Sequence, residues 1–319
     1  TETAVPTVEA PPTSETAEAE ASEAEASEAD VAESEPVETA VPVLDGENLS
    51  LSWTFDSGGS INHPPLRSGD SLIVAPREGA LTALDPVTGA VRWQYDPPQR
   101  IWDRAYASDG QAFLIGTEGG HLVALDSNSG ELLWQADLGI EVQHPPFIAG
   151  DVIYVPSTFV GPGLDSNPEG KAKVFALDMA DGTELWQFES DNYLVQTPFL
   201  QGDTLYVGGV FSDPEPVDEG GHTRLYALSA GDGSELWTFE SLDGFPKQLY
   251  ATDEAVAYIA YVDFATGLDA GSGEQLWRRD TGNWVPTLSG EWDTMYFGSA
   301  NTIVHALNVN DGSVEWQHN

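Results

Sequence analysis

Residues 124–134 read ALDSNSGELLW, and the frame they set recurs five more times along the chain. The other copies are ALDPVTGAVRW (83–93), ALDMADGTELW (176–186), ALSAGDGSELW (227–237), GLDAGSGEQLW (267–277) and ALNVNDGSVEW (306–316). In each, a polar residue stands four positions before a glycine, and the glycine stands four before a tryptophan. Asp fills the polar slot except at Ser229 and Asn308. The glycines are Gly89, Gly130, Gly182, Gly233, Gly273 and Gly312; the tryptophans are Trp93, Trp134, Trp186, Trp237, Trp277 and Trp316. Counting from Trp53, the tryptophans are separated by 40, 41, 52, 51, 40 and 39 residues.

This spacing is the chemistry of a hairpin. An apolar strand ends at Ala-Leu, a short polar side chain caps the turn, glycine supplies a positive φ, and a second strand carries the Trp. Upstream of each hairpin lies a short run of β-branched and aromatic residues: LIVA (72–75), FLIG (113–116), VIYV (152–155), LYVG (205–208), VAYIA (256–260) and MYFG (295–298). Further upstream comes a Pro-marked segment, as in HPPL (63–66), HPPF (144–147), QTPF (196–199) and WVPT (284–287). Each unit thus offers about four short strands in about forty residues, with no helical period, which is the measure of a propeller blade. The expected fold is all-β, a β-propeller of four-stranded blades, with the recurring Trp packed between neighbours. Six blades are complete. Residues 50–55 (SLSWTF) have the look of one more outer strand, so seven blades with one incomplete is the alternative count.

Outside the repeat the composition is uneven. Residues 1–46 hold no aromatic and no basic residue, and they lack the apolar surface to offset chain entropy. They read as a disordered acidic linker, with 47–319 as the folded part. Net charge is −42; thirteen of the 53 acidic residues lie in 1–46, which leaves 40 against 11 bases and a net −29 in 47–319. Nucleic acid and anionic membrane surfaces are poor partners for such a field. Because the acids are spread along the whole domain, the reading preferred is adaptation to high salt rather than one specific acidic face. There is no cysteine, which removes disulfides and thiolate chemistry. No apolar run approaches a membrane span. The sequence starts at Thr1 rather than Met, and a Pro-punctuated polar linker there resembles the spacer of an exported protein. The expectation is an extracytoplasmic protein with a lipid anchor upstream of Thr1.

The six phased ALDxxxGxxxW motifs resemble the blades of quinoprotein-type propellers, the pyrroloquinoline-quinone-like repeat family, over roughly residues 50–319. That family includes quinone-dependent alcohol dehydrogenases and cofactor-free members, among them outer-membrane assembly lipoproteins of the BamB type. The enzyme branch implies eight blades, a vicinal cysteine pair against the quinone, and calcium held by Glu, Asn and Asp beside a catalytic Asp. None of these can be carried onto this sequence, which lacks Cys altogether. The resemblance therefore implies the non-catalytic branch: no cofactor, with neither quinone nor calcium supported, and a protein or cell-envelope component as partner. A glycan-binding propeller is a further reading.

Function has to lie where the copies differ. Two adjacent units are longer by about ten residues, at 157–171 and 210–222, between their second and third strands. In the first, Asp165, Asn167 and Glu169 alternate as in a weak calcium loop without completing its spacing. The other candidates come from phasing the units on the Trp. Ten residues after it stand His63, Asp103, His144, Gln196 and Lys247, with Trp284 taking the place in the last unit. These positions begin the innermost strands and are expected to ring one mouth of the central channel. Trp102, Tyr106, Tyr193, Phe245 and Tyr250 lie beside them and are read as aromatics of a binding face.

Overall fold

The computed structural model describes residues 51–62, 64–158, 171–190, 194–211, 222–242, 246–260, 264–282, 285 and 288–318. The linker at 1–46 lies outside them, and the compact folded unit begins at Leu51. Six antiparallel sheets follow one another along this unit, and among the described residues there is no helix. The first comprises β1 (Leu66–Ser68), β2 (Ser71–Val74), β3 (Leu81–Leu84) and β4 (Val91–Tyr95). The second comprises β5 (Ile101–Ser108), β6 (Ala112–Thr117), β7 (His121–Asp126) and β8 (Leu132–Asp137). The third holds β9 (Phe147–Ala149), β10 (Val152–Pro156), β11 (Lys173–Asp178) and β12 (Glu184–Glu189).

In the fourth, the innermost position is shared by β13 (Leu194–Val195) and β14 (Phe199–Gln201), both paired to β15 (Thr204–Phe211); β16 (His222–Ser229) and β17 (Glu235–Ser241) complete it. The fifth holds β18 (Pro246–Ala251), β19 (Ala255–Ala260), β20 (Phe264–Asp269) and β21 (Gln275–Asp280). The sixth holds β22 (Leu288–Glu291), β23 (Thr294–Gly298), β24 (Val304–Asn308) and β25 (Val314–His318). Strands pair in chain order within five of the sheets, and in the fourth β13 and β14 both precede β15 as its partners, as in the blades of a propeller. The innermost strands of neighbouring blades touch, β1 against β5, β5 against β9, and β18 against β22.

The motif explains each blade's outer hairpin. In all six, the Gly N–H donates to the carbonyl of the residue four before it, and that residue's own N–H donates across the turn, as Asp126 N does to Glu131 O at 2.8 Å. The ladder slips by one residue between the Ala or Gly and the Leu of every copy, a bulge that the left-handed glycine makes possible. Asp126 Oδ1 accepts the N–H groups of Asn128 and Ser129, and Asn308 Oδ1 does the same for Asn310 and Asp311.

Those caps carry a pH signature. The Arg92 guanidinium holds Asp85 well below the usual carboxylate range. The Ser129 N–H lowers Asp126, and the Ser272 hydroxyl lowers Asp269. A carboxyl that ionises more readily when folded contributes stability that is complete above its unfolded value near 3.8 and is lost as pH falls below it. Asn308 already caps the sixth turn without titrating. Replacing Asp126 and Asp269 together by Asn should leave neutral-pH stability nearly unchanged and flatten the fall of melting temperature below pH 4. An unaltered acid limb would show that these caps contribute nothing there.

The Trp of each blade docks on the turn of the next. Trp93, Trp134, Trp186, Trp237 and Trp277 are each 8–9% exposed. Each lies flat on the following glycine, so that a Cβ on Gly182 would meet the Trp134 ring at 2.5 Å. Each indole N–H donates to the carbonyl after the capping residue: Trp93 to Ser127, Trp134 to Met179, Trp186 to Ala230, Trp237 to Ala270 and Trp277 to Val309, at 2.8–3.0 Å. Five apolar clusters result, one between each successive pair of blades.

Two expectations are corrected here. Trp316 is not packed like its five equivalents; it is 46% exposed, with no hairpin turn beneath it among the described residues. The first glycine, Gly89, is instead covered by Trp53, whose N–H donates to Pro86 O at 3.2 Å. Residues 50–55 were the other expectation: residues 51–55 carry this docked Trp but pair with no strand among the described residues.

Candidate functional site at the inner-strand ends

The candidate positions share a structural trait. None of those described lies in a regular stretch of ladder. Asp103 falls in β5 where pairing jumps from Ile101–Thr117 to Tyr106–Ile115, so several residues bulge out opposite one. Lys247 is the extra residue where β18 skips from Pro246–Ala260 to Gln248–Ile259. Gln196 sits in the gap between β13 and β14, its N–H still donating to Gly208 O at 2.8 Å. His144 lies in the link ahead of β9 and is half-buried. Bulges free a side chain from the alternation of the sheet and re-aim it, and they gather beside sites. At His144 and Gln196 a nearby proline, Pro145 or Pro198, has no N–H to give to a ladder.

Neighbouring links touch through few bonds. Thr197 Oγ1 donates to Pro145 O at 3.3 Å, which brings the residues just after Gln196 and His144 together across the third and fourth blades. Tyr106 Oη donates to Pro64 O at 2.9 Å across the first and second. Gln248 Oε1 accepts the Leu288 N–H across the fifth and sixth. The side chains of Asp103 and Lys247, and all of His63, Trp284, Tyr193 and Phe245, lie outside the described residues.

The aromatics depart from the exposed set expected. Trp102 is half-buried against the cluster between the second and third blades, its Nε1 buried and without a hydrogen-bond partner among the described residues. Tyr106 stacks on Phe113 with centroids 5.8 Å apart. Tyr250 packs on Phe199 at 5.4 Å and donates to Trp292 O at 3.0 Å. Burial raises the phenol pKa of both tyrosines. All three rings are half-buried and engaged with neighbouring residues.

The two insertions leave the blades where the spacing placed them, after β10 and before β11, and after β15 and before β16. Their centres, including Asp165, Asn167 and Glu169, lie outside the described residues. Among the described residues no group of three or more His, Asp or Glu is arranged to hold a metal.

Sequence reading missed a polar group on the second blade. Gln99 Oε1 lies 2.9 Å from His121 Nδ1 and accepts the Thr117 hydroxyl at 3.0 Å, while Arg100 pairs with Glu118 at 2.9 Å. Gly119 makes room, because a Cβ there would strike the Gln99 amide. It also missed three serines, Ser68, Ser108 and Ser127, whose hydroxyls meet between the first two blades. Neither group has a local motif, since its members are brought together from separate strands and links.

The sequence profile described as outer membrane protein assembly factor BamB matches residues 37–101, 98–209 and 170–319. A curated relative, outer membrane protein assembly factor BamB of Nitrosomonas eutropha, is 26% identical over 227 residues, which are 68% of this chain and 51% of that protein. The chain thus spans about half the length of that curated relative. Among solved structures, BamB from Moraxella catarrhalis superposes with a TM-score of 0.57 at 22% identity, over 83% of this chain and 76% of its own. A europium-containing methanol dehydrogenase superposes at 0.61 with 14% identity, over 84% and 73%. At these identities the solved structures share the fold alone, and the enzyme's chemistry does not transfer with it.

Proposed function

The chain belongs to the family of the outer membrane protein assembly factor BamB, and from that premise we propose that it is a non-catalytic, extracytoplasmic propeller that binds a protein of the cell envelope. The observation that carries this reading is the family profile running across all six blades. The inner-strand ends support it. His144 and Gln196 stand at irregular, half-buried backbone beside each other's links, where side chains differ from blade to blade. Irregular backbone at the mouth of a blade re-aims its side chains, and a partner's loop can be read by them. The acidic domain favours a cationic contact surface on that partner and speeds its encounter at low salt.

Residues 1–46, polar and acidic, then act as a linker to the propeller. A polar linker that holds a domain near its partner raises the local concentration without adding a contact. No helix among the described residues is long and apolar enough to cross a membrane.

Affinity capture with the full chain from gently solubilised envelope tests the reading. One stoichiometric protein partner is the expected result, and recovery of none counts against it. In a parallel arm, added pyrroloquinoline quinone and calcium should give no alcohol-dependent dye reduction. Sustained turnover there would move the chain to the enzyme branch.

A further inference from the structure

In four of the blades the first and second strands meet at a turn of two residues: Gly69–Asp70, Gly150–Asp151, Gly202–Asp203 and Trp292–Asp293. The first residue of each has a positive φ, 54°, 61°, 56° and 53° in that order. Three of them are glycine, as sterics demand there, and the sixth blade puts the bulkiest of side chains in the same place. The fold gains nothing from that ring. Trp292 is 82% exposed, the highest value of any large apolar side chain among the described residues, and it joins none of the apolar clusters.

The turn under it is clamped. Trp292 O accepts the Tyr250 hydroxyl at 3.0 Å, and Asp293 O accepts the Val309 N–H at 2.7 Å. Tyr250 reaches the turn by lying over Gly290, where a Cβ would strike its ring. A backbone held in a disfavoured region persists when its surroundings over-determine it, and such outliers cluster at ligand clamps and switch regions. Here the clamp fixes the backbone and leaves the indole in solvent.

Charge identifies what the ring meets. Glu291 and Asp293 flank it in sequence, and both are exposed. Burial, then the charges of Asp293 and Glu291, raise the phenol pKa of Tyr250, and among the described residues no cation acts on that phenol. An aromatic face beside two carboxylates attracts a guanidinium or ammonium through the ring quadrupole and charge-assisted hydrogen bonds. Guanidinium suits it better, since its plane stacks on an indole while its N–H groups reach the acids.

We propose that the Trp292 turn is a second docking surface, which seats an arginine side chain of a basic polypeptide on the indole with Glu291 and Asp293 beside it. The turn lies at the same end of its blade as the β24–β25 hairpin, to which Asp293 is bonded. That is the end opposite the links and insertions, because successive strands of a blade run antiparallel. The surface therefore stands apart from the inner-strand ends, and its failure would leave the reading of those ends untouched.

The full chain, with isotope-labelled indole N–H groups, is titrated with acetyl-Gly-Arg-Gly amide and with the same peptide carrying neutral citrulline. Trp292→Gly identifies the Trp292 resonance by its loss. That variant should melt no lower than the parent, because glycine relieves the positive φ and the ring covers nothing. The arginine peptide should shift the Trp292 resonance saturably and leave those of Trp186 and Trp237 in place, while the citrulline peptide shifts none. Glu291→Gln with Asp293→Asn should raise the dissociation constant read at Trp292 about fivefold, as the loss of two surface ion pairs gives. An unmoved Trp292 resonance, or equal shifts from both peptides, would overturn the proposal. So would a Trp292 shift with protein concentration alone, which would assign the ring to a second copy. A response to maltohexaose or phosphocholine where the arginine peptide gives none would overturn it as well, and so would a lower melting temperature for Trp292→Gly, which would give the ring a role in the fold.

Discussion

Trp186→Ala should destabilise the domain by about 3–5 kcal/mol, the range for removing a buried large aromatic and leaving its cavity. The ring is 9% exposed, lies flat on Gly233 and donates to Ala230 O at 3.0 Å. Truncation removes its packing in the cluster with Leu205, Val207 and Leu228 of the next blade, and it takes the indole donor from the Ala230 carbonyl, which keeps the Tyr154 hydroxyl at 3.3 Å. Trp316→Ala is chemically the same change in the same motif. With the ring half in water and no turn beneath it, the loss should be about 1 kcal/mol, in keeping with the smaller area removed from solvent. Denaturant melts of the two variants against the parent measure the difference. Equal losses would mean that Trp316 is covered in solution, and that docking does not set the energy of the repeat.

Salt should produce the second large effect. Residues 47–319 carry 40 acids against 11 bases, so the folded state confines a net −29. The Debye length falls from about 10 Å at 0.1 M to about 3 Å at 1 M, which screens neighbours on a blade surface from one another. Ion pairs among the described residues, such as Arg92–Asp85 and Arg224–Glu240, lose strength under the same screening. They are surface pairs worth about 0–1 kcal/mol each, so relief of repulsion among the acids dominates. Melting temperature should climb by about 10 °C between 0.1 and 2 M KCl, as a gain of several kcal/mol gives for a domain of this size. Chloride keeps the comparison clear of the exclusion effects of sulfate. A flat curve would assign the acids to one local face instead.

The repeat was legible because its physics is local. A glycine at positive φ, a short polar cap and a Trp four residues later all act within one hairpin or against the next, so spacing alone placed β3 with β4 and each of its successors. The apolar runs placed the second strands equally well; LIVA and VIYV fall on β2 and β10 to within a residue. What the sequence did not yield depends on contacts between blades. The competition between Trp53 and Trp316 for one turn is decided in space, across 263 residues of chain. The bulges at Asp103 and Lys247 follow from how links enter the blades, and no residue at either position signals them. Tyr106 and Tyr250 read as surface aromatics because their partners, Phe113 and Phe199, stand on other strands.

The candidate site was legible in part for the same reason. Phasing on Trp picked out His144 and Gln196, and the bond from Thr197 to Pro145 shows that their links touch. Gln99 and His121 escaped it because they do not stand at a phased position and meet only when the link before β5 folds against the turn between β6 and β7.

The claim at the centre of this account is that shared residues build the blades and unshared ones, at the inner-strand ends, bind the partner. Cross-linking mass spectrometry on the captured envelope complex tests it most directly. Cross-links should concentrate on the links that carry His63, Asp103, His144, Gln196 and Lys247, with none on the capped turns at Gly130, Gly182 and Gly233. Cross-links gathered on those turns, with the inner-strand ends bare, would contradict it.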